Sequence, residues 1–88
     1  MRLIHFRLEA FEEYQEWINT DKKIALKIGV LIRETLKNPF TGLGKPEPLK
    51  ENFKGFWSRR INDEHRLLYK ITDQTIIIFA CYGHYNDK

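Results

Sequence analysis

Three runs rich in β-branched and aromatic residues, 55–61 (GFWSRRI), 65–71 (HRLLYKI) and 75–82 (TIIIFACY), stand only three residues apart in this chain. Connections that short, Asn62-Asp63-Glu64 and Thr72-Asp73-Gln74, predict antiparallel neighbours and hence a three-stranded meander. The third run is apolar at almost every position, which places it centrally in a sheet with both faces buried. Helices must cover one face of that sheet, while the other can stay partly open to a ligand.

The helices are legible upstream. Residues 2–7 alternate as a short strand, with Leu3 and His5 on one side and Ile4 and Phe6 on the other; its apolar content predicts a place in the sheet interior. In 8–19, Phe11, Tyr14, Trp17 and Ile18 recur at three- and four-residue spacing and share a helical face, with the glutamates mostly opposite. Thr20 or Asp21 can cap a second helix over 21–37, whose stripe is Ile24, Ile28, Leu31, Ile32 and Leu36. The break is so short that the two helices form an antiparallel hairpin. Asn38-Pro39 ends it, because proline disfavours a helical residue before it. Residues 38–55 hold three prolines and three glycines among eighteen residues and read as one long loop. Loops of that length in small domains are functional or disordered. The predicted fold is α+β: an N-terminal strand, a helix hairpin, a long loop, and a meander packed on the helices.

Eighty-eight residues make a single domain, 1–88, and a chain this short buries roughly 60–65% of the surface its unfolded form exposes. The lone cysteine, Cys81, has no internal disulfide partner and fits a reducing compartment. No signal-like segment or membrane-length apolar run is present, so a cytoplasmic protein is expected. Charge is uneven: residues 22–70 carry twelve Lys/Arg against five Asp/Glu, a local balance of +7. That asymmetry suits a polyanionic partner, and equally an ordinary solvated helix face.

Strand parity sorts the candidate site. Leu67, Tyr69 and Ile71 point one way, toward the helices, so Arg66 projects onto the open face with Leu68 and Lys70. Arg59 and Arg60 alternate, so at least one of them reaches the face of Arg66. The loop supplies Lys45, Lys50 and a glutamate, Glu47, held between two prolines. His84 and Tyr85 follow the last strand. Three scattered histidines and one cysteine match no metal-ligand spacing, and no cofactor is expected. Gly42-Leu43-Gly44-Lys45-Pro46 lacks the strand-to-helix setting of a phosphate loop. Acid–base chemistry at a phosphate remains. RNA cleavage by internal transfer requires a base for the 2′-OH, an acid for the leaving 5′-oxygen, and cations for the phosphorane.

The stretches GLGKPEPLK (42–50), GFWSRRINDEHRLLY (55–69) and ACYGHY (80–85) resemble the YoeB/Txe toxins of the RelE superfamily, and the similarity runs over nearly the whole chain. The resemblance implies a RelE-like fold and the toxin half of a type II toxin–antitoxin system, cleaving mRNA in the ribosomal A site. It implies Glu47 as general base, His84 as general acid, Arg66 as the phosphate-stabilising cation, and Tyr85 as the aromatic that orients substrate. It places Lys45, Lys50, Arg59 and Arg60 on the RNA backbone. It also implies mRNA and ribosome as partners, a YefM-type antitoxin and a toxin homodimer. Asn86-Asp87-Lys88 runs past the His-Tyr where relatives often stop, which moves the terminal carboxylate away from the site.

Each residue also has a plainer role. Glu47 can be a solvated loop acid, His84 a surface histidine, Tyr85 a plug at the core edge, and Arg66 the partner of Asp63 or Glu64. Trp57 and Phe56 fit the core, and His5 and His65 read as structural. Two alternatives to a nuclease stay open: a non-catalytic RNA- or ribosome-binding inhibitor of translation, and an antitoxin-binding autorepressor.

Overall fold

The computed structural model describes residues 1–84. Its elements in chain order are β1 (Leu3–Phe6), α1 (Leu8–Thr20), α2 (Lys22–Lys37), β2 (Glu47–Pro48), a 3-10 turn (Glu51–Phe53), β3 (Trp57–Arg60), β4 (Arg66–Ile71) and β5 (Thr75–Ala80). The sheet order is β1-β5-β4-β3-β2, antiparallel except for the parallel β1–β5 pair. The meander and helix hairpin stand as the sequence predicts. Two expectations fail. β1 lies at the sheet edge, not in its interior, with Leu3, Ile4 and His5 exposed. The 38–55 segment is not all loop, because Glu47 and Pro48 pair with Ser58 and Trp57 as an edge strand. An edge position tolerates the flanking prolines, since one side of the strand needs no hydrogen-bond ladder.

One residue makes the helix hairpin. The Asp21 N–H donates to the Trp17 carbonyl at 2.7 Å, ending α1, while its carboxylate accepts from the N–H groups of Lys23 and Ile24 and caps α2. Ala10, Tyr14 and Trp17 of α1 and Ile28 and Leu31 of α2 pack with Leu67, Tyr69, Ile76 and Ile78 of the sheet. The inner stripe of α1 is therefore Ala10, Glu13, Tyr14 and Trp17. Phe11 and Ile18, expected on it, are exposed. A smaller apolar cluster of Leu49, Leu68 and Ala80, with Phe53, Phe56 and Phe79, occupies part of the opposite face.

β5 lies inside the sheet, between β1 and β4, and it carries a bulge. Leu68 pairs with Ala80 but Tyr69 with Ile78, so Phe79 is the extra residue. The bulge switches the parity of the strand's end. Ala80 joins Leu68 on the face away from the helices, and Cys81 turns inward to full burial. Burial, with the Glu13 carboxylate nearby, pushes the Cys81 thiol up to about 12.

Arg59 corrects a further expectation. Its cross-strand partner is Leu67, so it faces the helices, and it is completely buried. The guanidinium donates to the carbonyls of Leu43 (2.8 Å), Asn38 (2.5 Å) and Thr41 (3.1 Å), and its Nε to the Tyr69 hydroxyl (3.0 Å). Tyr69 Oη in turn donates to the Pro39 carbonyl at 3.3 Å. Burial pushes the Tyr69 phenol up, while the hydrogen bond and charge of Arg59 pull it back. Completely buried, with four of its five N–H groups bonded inside the fold, Arg59 is out of reach of an RNA backbone. It organises the loop instead.

Two outcomes are expected. Arg59→Lys, whose three donors share one nitrogen and cannot serve three carbonyls and the Tyr69 hydroxyl together, should destabilise the fold by about 3–5 kcal/mol in urea unfolding. An unchanged midpoint would show that the fan carries little stability. Cys81 should resist a thiol-reactive disulfide at about pH 8 in the native protein and react promptly once unfolded.

Candidate active site

The face of the sheet away from the helices carries the candidate residues at one end. Arg60 and Arg66 are cross-strand partners and share that face. One step along the strands, Glu47 pairs with Ser58, and Ser58 with Leu68, so Glu47 projects from the same face. Two strand spacings, roughly 10 Å, separate the backbones of β2 and β4, and the Glu47 carboxylate is near enough to act on the Arg66 charge.

Glu47 is delivered by the loop that Arg59 holds. Beyond the guanidinium contacts, Phe40 packs on Trp57 with ring centroids 4.9 Å apart. The Arg60 N–H donates to the Gly44 carbonyl at 2.6 Å. Gly44 has φ of 83°, and a Cβ there would come within 2.9 Å of Leu31 Cδ2 and 3.0 Å of Arg59 Cβ. Only glycine lets the chain pass so close to β3 in that conformation. Lys45, with φ of 50°, then turns the chain into β2. Lys45, Glu47 and Lys50 are all exposed.

Arg66 is fixed where Arg59 is hidden. Its side chain is only 7% exposed. Nη1 donates to the carbonyls of Asn62 (2.6 Å) and His65 (3.1 Å), and Nη2 lies 2.9 Å from His84 Nε2. The 62–65 turn that offers those carbonyls is itself held by Asn62 Oδ1, which accepts from the N–H groups of Glu64 and His65. Burial lowers the Arg66 pKa, as does Arg60; Asp63 and Glu47 oppose both. The guanidinium stays a cation throughout, because its ordinary pKa lies so high.

A guanidinium has no acceptor, so His84 Nε2 accepts from Arg66 and its proton sits on Nδ1. His84 is exposed and thus accessible to a ligand. The structure brings Arg60, Arg66, His84 and Glu47 to one end of one face, with Lys45 and Lys50 flanking Glu47 in the chain. It places Arg59 in the interior. Tyr85, and the 86–88 tail, lie outside the described residues. Among the described residues, no group of three or more His, Cys, Asp or Glu side chains is gathered as ligands for a metal ion, and no helix is long and apolar enough to cross a membrane.

Sequence reasoning missed the supports. Glu13, Trp17 and His65 all bind the backbone between β5 and His84. Their partners are 18 to 68 residues away, so no local spacing could reveal them. Nitrogen-detected NMR of free protein at neutral pH should find His84 in the Nδ1–H tautomer, and Arg66→Ala should restore the ordinary tautomer mixture. An Nε2–H majority in the wild type would mean the Arg66–His84 contact does not form in solution.

A family model described as YoeB-like toxin of bacterial type II toxin-antitoxin system matches residues 6–85. Toxin YoeB of Escherichia coli strain K12 is 54% identical over 77 residues, covering 88% of this chain and 92% of that protein. Among solved structures, a YoeB/ParE toxin from Agrobacterium tumefaciens superposes with a TM-score of 0.90 at 41% identity, covering 97% of this chain and 100% of that one. A heterotetrameric YoeB-YefM toxin-antitoxin complex from Staphylococcus aureus contains a chain with a TM-score of 0.87 at 46% identity, with the same coverage. With a family model that matches residues 6–85, and relatives alike in sequence and fold over most of the chain, the chain belongs to the YoeB-like toxins of bacterial type II toxin–antitoxin systems.

Proposed function

We propose that this toxin is a ribosome-dependent mRNA endoribonuclease that cleaves by internal 2′-OH transfer without a metal. The observation that carries the reading is the placement of a fixed cation, Arg66, between a histidine that touches it and a carboxylate on the same face. Glu47 removes the 2′-OH proton, and the resulting oxygen attacks the adjacent phosphorus. The bond to the 5′-oxygen breaks as His84 protonates it, leaving a 2′,3′-cyclic phosphate and a 5′-hydroxyl. Arg66 and Arg60 offset the charge that grows on the phosphorane. A phosphate at the site takes over Arg66 Nη2, and the freed His84 Nε2 takes up a proton from water, which it then donates to the leaving oxygen. The need for a 2′-OH makes RNA the substrate and excludes DNA.

Lys45 and Lys50 contact the RNA backbone, and Tyr85 orients the nucleotide at the cut. The decoding site supplies a message already held in an extended path, so a small enzyme with few RNA contacts has no need to bind free RNA tightly. Work on ribosomes places the protein in the cytoplasm. By analogy with the YoeB-YefM complex from S. aureus, an antitoxin of YefM type binds this toxin, and by analogy with a YoeB dimer from the same organism the free toxin pairs with a second copy.

Primer extension on a translated message tests the reading. Wild-type protein should create new RNA ends, and His84→Gln and Glu47→Ala should each lower the rate by about 100- to 10,000-fold without unfolding the protein. If both variants cleave like wild type, the site is wrongly assigned. Inhibited translation with no new ends would make the protein a binding module instead.

A further inference from the structure

β5 ends at Ala80, four residues short of His84. The intervening backbone is held from three directions. Glu13 Oε1 accepts from the Cys81 N–H at 2.8 Å, and Trp17 Nε1 donates to the Cys81 carbonyl at 2.9 Å. The Arg66 N–H donates to the Gly83 carbonyl at 2.8 Å. The fourth contact is a side chain holding the residue next to the candidate acid: His65 Nδ1 accepts from the Gly83 N–H at 2.9 Å.

That ring is confined. Trp17 meets it edge-on with centroids 4.8 Å apart, and Tyr82 lies against it at 4.6 Å. Trp17 and Tyr82 also stack on each other at 5.5 Å, so the three rings form one cluster around the chain's exit from the sheet. To accept from Gly83, His65 must leave Nδ1 unprotonated. Gly83 has φ of 93°, and this turn brings His84 back against Arg66. His65 also lends its own carbonyl to Arg66 Nη1. One residue thus touches both the cation and the segment that carries the acid.

We infer that His65 is a positioning residue: its Nδ1 orients Gly83 and thereby aims the His84 imidazole at Arg66 and the scissile phosphate. The inference rests on the reading of His84 as the general acid. A ring that merely filled space would need no acceptor. An ill-aimed acid costs turnover and leaves RNA affinity alone, because the cations that hold the phosphates are untouched.

Three substitutions separate the acceptor from the ring. His65→Phe keeps an aromatic ring between Trp17 and Tyr82 and deletes the acceptor. His65→Asn loses the ring and can place a carbonyl oxygen near the position of Nδ1. His65→Gln puts its amide nearer Nε2 and replaces the Phe variant if that one does not fold. Cleavage on translating ribosomes should show kcat lowered about 10- to 100-fold in His65→Phe with KM near wild type, and His65→Asn within about threefold of wild type. Wild-type turnover in His65→Phe, or equal losses in His65→Phe and His65→Asn, would overturn the proposal. Imidazole nitrogen NMR of the free protein decides the same point without RNA. His65→Phe should abolish the bias of His84 to the Nδ1–H tautomer, and His65→Asn should retain it. If wild-type protein does not cleave RNA, the functional reading fails, and these spectra still show whether His65 positions His84.

Discussion

Arg59 holds a positive charge in the interior with neutral oxygens as its hydrogen-bond partners: three loop carbonyls and the Tyr69 hydroxyl. Each carbonyl would lose this partner if the guanidinium left, and the buried charge itself cannot go unpaired without a large cost. A segment with three prolines and three glycines has no ladder of its own to define a path. The fan of donors supplies that path. It brings Gly44 against β3 and lets the next residues pair as β2, with Glu47 on the face opposite the helices. A long loop in a small domain thereby becomes the support of one candidate catalytic group.

The other support comes from the opposite end of the chain. The bulge at Phe79 turns Cys81 inward, where Glu13 and Trp17 hold its backbone, and His65 and the Arg66 N–H hold Gly83. Arg66 stands between these supports, on the last residue pair shared by β3 and β4. Its carbonyl partners at Asn62 and His65 fix its direction before any substrate arrives. A site prepared in this way carries little reorganisation cost, which favours electrostatic stabilisation of a charged transition state.

Much of this architecture could be read from local pattern. Short turns between apolar runs imply a meander, and the period of Ile24, Ile28, Leu31 and Leu36 implies the inner face of α2. Parity placed Arg66 opposite Tyr69, away from the helices. Other features depended on contacts across the fold. Parity left open whether Arg59 or Arg60 joined Arg66; the pairing of Arg59 with Leu67 decides it, and burial makes Arg59 structural. β2 is hidden because a glutamate and a proline, with another proline before them, carry no strand signal. β1 was expected inside the sheet because its residues are apolar, yet it forms an exposed edge. His65 read as a structural residue because a histidine's role is set by what its nitrogens meet, and its partner lies eighteen positions away.

Chemical analysis of the RNA ends made on a translated message tests the central claim most directly. Transfer from the 2′-OH, with Glu47 as base and His84 as acid, leaves a 2′,3′-cyclic phosphate upstream and a 5′-hydroxyl downstream. A single 2′-deoxy nucleotide at the cut should abolish cleavage there. A 3′-hydroxyl paired with a 5′-phosphate, or undiminished cutting at the deoxy position, would contradict it.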